Sequence, residues 1–147
     1  MDDLKYIGRR LSCLSRNSHH VFLDIIGKYN LGKGQIHFLI YLVREEDGLT
    51  QEDLSRILEI DKSNTARAIK KLMKEGYVVK KVDDKDKRKN RIYVTEKAIK
   101  YEKLIRKEII AWENAITKGI SDDDIEKFLN TLDIMINNIL ELNKSDT

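Results

Sequence analysis

The segment from Asp61 to Thr95 constrains the fold of this chain more than any other part of the sequence. Its first half predicts an amphipathic helix, because at about 100° per residue the apolar side chains fall on one side and the amide, hydroxyl and cationic side chains on the other. Its second half is rich in β-branched and aromatic residues around the charged run DDKDKRKNR, which predicts a two-stranded hairpin. A helix with an apolar back and a polar, cationic front suits the DNA major groove, whose base edges offer donors and acceptors between rims of phosphate.

Positive charge is concentrated in the same segment. Residues 62–91 contain twelve Lys or Arg against four Asp or Glu, a local charge of +8, whereas the whole chain carries +3 and the remainder therefore −5. A nucleic-acid partner requires cations that are gathered on one surface. The charge distribution thus indicates the same surface as the helix pattern.

Composition limits the class of protein. The chain has 147 residues, enough for one domain with a substantial core, and it contains no proline and only seven glycines, which permits long uninterrupted helices. It has no run of about 18 apolar residues, so we expect no membrane span, and its first ten residues lack the apolar segment of a signal peptide. One cysteine cannot form an internal disulfide, so we expect a reducing, cytoplasmic setting. No phosphate loop, nucleophile–base pair or metal-ligand spacing indicates an enzyme, a cofactor or a bound metal.

Helix boundaries carry their own signals. Thr50, with Asp53 three residues later, resembles a capping box and begins a short helix. Asp61 is a good N-cap for the amphipathic helix, and Gly76 is placed to end that helix as its C′ residue. Two short helices joined by a tight turn, the second of them basic on its free face, form a helix-turn-helix.

Long helices flank this unit. Apolar residues at three- and four-residue steps predict helices over roughly residues 3–29 and 96–117, and Ser121 begins a last helix with a broad apolar face. A helix over roughly residues 33–44 is apolar on most sides, which predicts central burial. The first helix and the last two carry more apolar surface than one small lobe can bury. We therefore expect a second copy of the chain to cover that surface.

The predicted fold class is mainly α with a small β-hairpin wing. A winged helix-turn-helix lobe is expected at residues 31–94. Residues 1–30 and 95–147 are expected to form the long terminal helices of a dimerisation region within one compact domain. The aromatic residues Tyr101 and Trp112 are expected in the dimer core rather than in a cofactor site.

Two short motifs resemble those of the MarR family of winged-helix transcription regulators, and the likeness extends over essentially the whole chain. Residues 86–88 (Asp-Lys-Arg), followed after five residues by 94–95 (Val-Thr), match the family's Asp-x-Arg and Leu-Thr at that interval. Residues 72–78 match the family's helix-end pattern, Leu-x-x-Glu-Gly-Tyr-Val. The chain departs from the family at Val94, which replaces leucine, and at Ala98, which replaces a common glycine.

The resemblance implies a homodimer whose base is formed by the terminal helices. Its two winged lobes would bind a pseudo-palindromic operator on double-stranded DNA. In such proteins the arginine that matches Arg88 enters the minor groove beside the site, and the aspartate that matches Asp86 helps to hold it. Most are repressors, and many release DNA when a small, frequently aromatic acid binds between the dimer base and the reading lobe.

The candidate DNA-binding residues come from the amphipathic helix and the hairpin loop. Phosphate contacts are expected from the lysines, base contacts from Asn64, Arg67 and Lys71, and a contact that depends on minor-groove shape from Arg88. The full set is Lys62, Ser63, Asn64, Thr65, Arg67, Lys70, Lys71, Lys74, Lys87, Arg88 and Lys89.

Cys13 leaves two interpretations open. Arg9, Arg10 and Arg16 lie within about a turn of it along the predicted first helix. Nearby cations lower the pKa of a thiol and make it reactive, which would suit a thiol-based redox-sensing regulator. The interpretation we favour is a buried, inert thiol.

Two further alternatives concern other partners. His19, His20 and His37 suggest a metal sensor, but zinc sites prefer patterned ligands, and adjacent helix residues point to different sides. We expect these histidines at a helix junction or at the surface. A winged helix whose basic face binds an acidic protein is the second alternative. Against it, the candidate helix offers amide and hydroxyl groups at Asn64 and Ser63, which add base-reading chemistry to mere charge.

Overall fold

The computed structural model describes residues 6–145, which form helices around one antiparallel hairpin. The mainly helical class with a small wing is therefore confirmed. None of these helices is both long and apolar enough to cross a membrane. The positions predicted as helical from residue 3 to residue 5 lie outside the described residues. In chain order the elements are α1 (Ile7–Gly27), α2 (Lys33–Arg44), α3 (Gln51–Ile57), α4 (Lys62–Lys74), β1 (Val78–Val82), β2 (Asn90–Val94), α5 (Glu96–Ile116) and α6 (Asp122–Ser145).

The chain divides into two compact units. Unit 1 extends to Ile109, and unit 2 begins at Ile110, so the boundary falls within α5. The boundary between the two units differs from the boundaries predicted from the sequence. That prediction assigned residues 31–94 to DNA binding and the terminal helices to contact with a second subunit. That functional division remains a prediction.

The core of unit 1 is built around α2. This helix is apolar on most sides, as its sequence indicated, and its buried side chains belong to one cluster with those of α3, α4 and the hairpin. Burial of such side chains is the main force that holds the lobe together. The fully buried larger side chains include Ile36, Phe38, Leu39, Leu42, Leu54, Ile69, Leu72, Tyr77 and Ile92.

The predicted N-termini of α3 and α4 are confirmed. The backbone N–H of Asp53 donates to Thr50 Oγ1 at 3.1 Å, and the Thr50 N–H donates to Asp53 Oδ2 at 3.1 Å, which completes a capping box. Asp61 caps α4 by accepting the Asn64 N–H at 2.8 Å.

The C-terminus of α4 adopts a Schellman motif. Gly76 has a φ of +76°, a conformation that glycine adopts without the steric cost of a Cβ. The Tyr77 N–H donates to the Leu72 carbonyl at 2.8 Å, and the Gly76 N–H donates to the Met73 carbonyl at 3.0 Å. The helix therefore ends abruptly, and the chain enters β1 directly.

The connection between α2 and α3 pairs with the wing through one isolated antiparallel β-bridge. Leu49 pairs with Ile92 of β2: the Ile92 N–H donates to the Leu49 carbonyl at 2.8 Å, and the Gly48 N–H donates to the Ile92 carbonyl at 2.9 Å. Gly48 has a φ of +76°, and a Cβ there would lie 2.9 Å from Tyr93 Cε1. Glycine is needed for both reasons. No pattern in the sequence predicts this pairing.

Unit 2 contains the rest of α5 and all of α6. Ser121 caps α6 as predicted, since its hydroxyl accepts the Asp124 N–H at 3.2 Å. None of the side chains that the structure describes in α6 is buried. Its large, exposed apolar side chains are Phe128, Leu129, Ile134, Ile136, Ile139, Leu140 and Leu142.

Candidate nucleic-acid interface

The predicted polar face of α4 is exposed. Ala68, Ile69 and Leu72 are buried on the opposite side of the helix, so the orientation of α4 follows its amphipathic pattern. The candidate residues of α4 that the structure exposes are Lys62, Ser63, Asn64, Arg67, Lys70, Lys71 and Lys74.

Thr65 is the exception, and its prediction as a DNA contact is wrong. Its exposed fraction is 0 %, and its hydroxyl donates to the carbonyl of Asp61 at 3.0 Å. The side chain thus packs into the turn between α3 and α4 and satisfies a backbone acceptor there. It lies on the apolar side of the helix, which the helical periodicity alone already indicated.

A chain of hydrogen bonds orders the start of the α4 face. Asp61 accepts from both the backbone N–H and the side-chain amide of Asn64, and Asn64 Oδ1 accepts from Arg67 Nη2 at 2.5 Å. The same contacts, first the backbone N–H of Asn64 and then its amide, lower the pKa of Asp61. The N-cap carboxylate therefore stays ionised and fixes Asn64 and, through it, Arg67, which are two of the three side chains predicted to read bases.

The tip of the wing presents its cations to solvent. Lys87 and Lys89 are exposed, and the Arg88 side chain is 91 % exposed. The backbone N–H of Arg88 donates to Asp86 Oδ1 at 3.1 Å, and its Nε lies 3.3 Å from the same oxygen. The contact that the family resemblance implied between this aspartate and this arginine is present.

The base of the wing is held by the buried carboxylate of Asp83, which is not among the residues predicted from the sequence. Asp83 accepts the N–H groups of Lys85 and Asp86 at 2.8 and 2.9 Å and forms an ion pair with Arg91. Arg91 Nη1 also donates to the Gly48 carbonyl at 2.9 Å, which ties the wing to the α2–α3 connection. The Asp86 N–H, followed by Arg91 and the Lys85 N–H, holds the pKa of Asp83 well below its usual range. An aspartate that begins a turn is a recognised signal for such an acceptor and was available in the sequence.

One cleft joins the wing to α4. Its volume is about 770 Å³, and it is open to solvent between the start of α3, the start of α4 and the base of the wing. Lys62 of α4 and Lys89 of the wing both line it, so cations from the two elements face the same groove. Lys62 Nζ lies 3.5 Å from Glu52 Oε1, an exposed and weakly held pair that a phosphate can displace.

Known proteins are similar to this chain in sequence and fold. A model of the MarR family matches residues 29–89, which include the helix-turn-helix and most of the wing. A MarR transcriptional regulator from Methanosarcina mazei Go1 is 40 % identical, with a TM-score of 0.73 over 94 % of this chain and 99 % of that one. The chain belongs to the MarR family. The suspected resemblance is thus confirmed.

Two further relatives support the assignment. YybA of Bacillus subtilis strain 168, an uncharacterized HTH-type transcriptional regulator, is 36 % identical over 109 residues, which are 73 % of this chain and 68 % of that protein. A MarR-family regulator from Listeria monocytogenes, solved in complex with a 26mer DNA, is 29 % identical, with a TM-score of 0.71 over 92 % of this chain and 89 % of that one. The family and these relatives are transcription regulators rather than enzymes. This MarR-family chain is accordingly a DNA-binding transcription regulator without a catalytic role.

Cys13 of this MarR-family chain is exposed, so the prediction of a buried thiol is wrong for the single chain. The reason is its position in α1, where the only buried residues, Ile25 and Ile26, lie near the C-terminal end. The side-chain amide of Asn17 lies 3.5 Å from Cys13 Sγ.

The histidines do not gather into a metal site. His19, His20 and His37 are exposed, in agreement with the expectation that they lie at the surface. Among residues 6–145, no three His, Cys, Asp or Glu side chains are grouped so that they could hold a metal ion.

Proposed function

We propose that this MarR-family regulator binds a pseudo-palindromic operator as a homodimer and represses transcription from it. The observation that carries the proposal is the continuous exposed surface formed by the polar face of α4 and the cationic wing, with the cleft between them. The Listeria relative, which was solved in complex with a 26mer DNA, supports DNA as the partner. Each α4 would lie in a major groove, and each wing would reach the adjacent minor groove.

The exposed side chains differ in chemistry, so some suit contacts with bases and others suit contacts with phosphates or with the minor groove. Asn64 and Arg67 offer amide and guanidinium groups that pair with base edges, and their hydrogen bond to each other reduces the conformational freedom lost on binding. Lysines along α4 and at the wing tip suit phosphates, which give affinity without sequence information. The Arg88 side chain is 91 % exposed beside Asp86 and suits a narrow minor groove, where the negative potential is enhanced.

The homodimer is proposed from the apolar surface of the terminal helices. Leu129, Ile136 and Leu142 of α6 are each more than half exposed in the single chain, and Leu14 and Val21 of α1 are exposed as well. Exposed apolar side chains in such numbers are typical of a surface that a protein partner covers. A second copy of the chain would cover it and would also supply the second reading lobe that a two-fold operator requires.

The proposal is tested by selection of bound duplexes from a random pool, followed by a shift assay with the selected duplex and with a scrambled one. We expect an inverted-repeat site with preferential binding. The logarithm of affinity should fall linearly with the logarithm of salt concentration, with a slope of about −0.9 for each phosphate neutralised. A reporter promoter that carries the site should be silenced by the protein.

Two other outcomes would contradict the proposal. Equal binding of both duplexes would indicate a nonspecific architectural protein. Failure to bind any duplex would favour the alternative of a winged helix that binds an acidic protein partner.

We further propose that a small aromatic acid regulates DNA binding from a cavity of about 490 Å³ between the start of α2 and α4. Phe38, Ile60 and Ala68 contribute apolar lining, and Lys33 and Arg67 contribute cations suited to a carboxylate. Asn64 also lines the cavity, so a bound acid would engage two of the residues proposed to read bases. DNA and ligand would then compete, and the ligand would lower affinity by its preference for the DNA-free state.

Benzoate is a suitable probe for this second part of the proposal. Millimolar benzoate should shift the NMR signals of His37 and Lys33 and weaken binding of the selected duplex. Lys33→Gln should lose both effects while retaining DNA binding, because Lys33 is outside the proposed DNA-contact set. Unchanged signals at both positions would exclude this cavity.

The exposure of Cys13 favours one alternative mode of regulation, namely thiol oxidation. The test is to treat the protein with an organic hydroperoxide and to measure affinity for the selected duplex in wild type and Cys13→Ser. A loss confined to wild type would support redox sensing. Unchanged affinity in the treated wild type would exclude regulation by oxidation of Cys13.

A further inference from the structure

Lys97 connects the start of α5 to the end of α4. Its ammonium group donates to the carbonyl oxygen of Glu75, the C-cap residue of α4, at 2.5 Å. It also lies 4.7 Å from the ring centroid of Tyr77 and 5.6 Å from that of Tyr101. The cation thus sits between the terminus of the proposed recognition helix and two aromatic faces.

Each of these contacts is favourable for a cation. The last carbonyls of a helix carry partial negative charge, because they lack partners within the helix. Aromatic faces attract cations more strongly where water is excluded, and Tyr77 is fully buried while Tyr101 is half-buried. Because burial raises the pKa of Tyr77 to about 12, its ring remains a neutral phenol throughout the ordinary pH range.

The aromatic wall around Lys97 is itself fixed. The Tyr77 hydroxyl donates to the Tyr29 carbonyl at 2.5 Å, and the rings of Tyr29 and Tyr101 lie 5.2 Å apart. Tyr101 meets Tyr77 edge-on with centroids 6.0 Å apart. The three tyrosines come from the α1–α2 connection, from the residue before β1, and from α5, so Lys97 is held by several elements at once.

Other polar contacts of α5 in unit 1 reach different parts of the lobe. Glu102 is buried and pairs with Arg44 at the end of α2, and Glu108 accepts from the Tyr29 hydroxyl at 2.8 Å. The end of α4 is held from the start of α5 by Lys97 and by Thr95, whose hydroxyl donates to the Gly76 carbonyl at 2.7 Å. Of Lys97 and Thr95, only Lys97 carries a charge.

We propose that Lys97 is a positioning residue for DNA recognition: it fixes the end of α4 relative to α5 and thereby sets the affinity for specific DNA without contacting the DNA. This inference rests on the proposed function. A small tilt of α4 about its capped start would displace Lys71 and Lys74 most, because they lie farthest along the helix. Specific binding depends on the position of these side chains relative to the bases, whereas nonspecific binding depends on charge alone.

The test compares Lys97→Met with Lys97→Arg and Lys100→Met. Methionine keeps the apolar stem of Lys97 but removes the charge and the donor, and arginine keeps both. Lys100 is exposed, also lies on α5 and has its ammonium 6.0 Å from the Tyr101 ring, so Lys100→Met removes one positive charge at a matched position. Affinity is measured for the selected duplex and for a scrambled one, and amide hydrogen exchange is measured on the DNA-free protein.

We expect Lys97→Met to lose about tenfold in affinity for the selected duplex, given the contacts removed. Its affinity for the scrambled duplex should match that of Lys100→Met. The amides of Glu75, Gly76 and Tyr77, which donate to the last carbonyls of α4, should exchange faster in Lys97→Met alone. Lys97→Arg should restore both properties.

Two results would overturn the inference. One is equal exchange and equal specificity in Lys97→Met and Lys100→Met. The other is a lowered unfolding midpoint in Lys97→Met with an unchanged ratio of specific to nonspecific affinity, which would indicate a merely structural contact. If wild type itself prefers no selected duplex, the proposed function fails. In that case, unchanged amide exchange at residues 75–77 in Lys97→Met would also show that Lys97 does not fix the end of α4. Faster exchange in Lys97→Met would show that Lys97 fixes the end of α4 but has no role in DNA recognition.

Discussion

At the scale of single residues, Arg67 joins local structure to recognition. Its guanidinium is exposed, yet the hydrogen bond to Asn64 and the capping of Asn64 by Asp61 restrict where it points. A side chain that is ordered before binding loses less entropy when it meets a base. The direction of Arg67, rather than its charge, is therefore expected to determine its contribution.

Arg67→Ala should reduce affinity for the selected duplex by about 1–3 kcal/mol and relax the base preference at one position of each half-site. Lys70→Ala is the matched control on the same helix. It should weaken all duplexes by similar factors and reduce the magnitude of the salt slope by about one. Competition binding against single-base variants of the duplex measures both effects, and an unrelaxed preference in Arg67→Ala would contradict the base-reading role.

Arg88→Ala should weaken specific binding strongly, because the wing would lose its minor-groove contact while the fold stays intact. Lys85→Ala removes the same charge from the wing at a position outside the proposed contact set. The comparison is made by fluorescence anisotropy with duplexes that vary only in the sequence flanking the half-sites. Equal losses in the two variants would reduce Arg88 to a general electrostatic contribution.

Asp83→Asn should destabilise the protein in a pH-dependent manner. Because the folded state depresses the pKa of Asp83, its stabilising effect is present above the ordinary value of 3.8 and is lost as the pH falls below it. The difference in unfolding free energy between wild type and Asp83→Asn should therefore be constant near neutral pH and shrink on acidification. Denaturation at several pH values measures it, with the exposed neighbour substitution Asp84→Asn as control, and a difference that grows in acid would refute the assignment.

The residues that sequence reasoning misplaced have different causes. The helical periodicity already put Thr65 on the apolar side of α4, so its choice as a DNA contact disregarded that pattern. Cys13 was judged from its neighbours along the chain, but its exposure is decided by what packs against it. Tyr101, expected in a dimer core, packs within unit 1 against Tyr29 and Tyr77. The ion pair between Asp83 and Arg91 likewise forms only when the hairpin closes, so neither residue signals it alone.

At the scale of elements, the ends of α4 were predictable because capping is local. A residue within three to five positions supplies each partner, and Asp61 and Gly76 behave as their residue types require. The pairing of Leu49 with Ile92 was not predictable in this way. It joins positions 43 residues apart and involves a single pair, too short to leave a periodic pattern.

Gly76→Ala should lower the free energy of unfolding by about 1–2 kcal/mol, since a Cβ is strained at positive φ. No close neighbour adds a clash, because the nearest atom to such a Cβ would be Lys97 Cδ at 4.0 Å. Gly34→Ala is the control: Gly34 lies in α2, has no positive φ, and has open space around its Cβ position. Urea denaturation should show that Gly34→Ala retains or raises stability, and equal destabilisation of the two variants would contradict the argument from backbone conformation.

At the scale of the whole molecule, the apolar patterns of the terminal helices predicted more surface than one chain can bury. The exposed side chains of α6 agree with that expectation, and the proposed homodimer follows from it. The pattern of one chain cannot specify how two copies meet, because that depends on the complementarity of surfaces rather than on periodicity. The spacing of the two reading lobes is therefore best measured on DNA.

A hydroxyl-radical footprint on the selected duplex tests the central proposal most directly. Two subunits with paired α4 helices should protect two symmetric regions whose centres lie about 10–10.5 base pairs apart, one helical turn. Additional protection should appear in the flanking minor grooves and should disappear with Arg88→Ala. A single protected region, or uniform protection along the duplex, would contradict a dimeric, sequence-specific regulator.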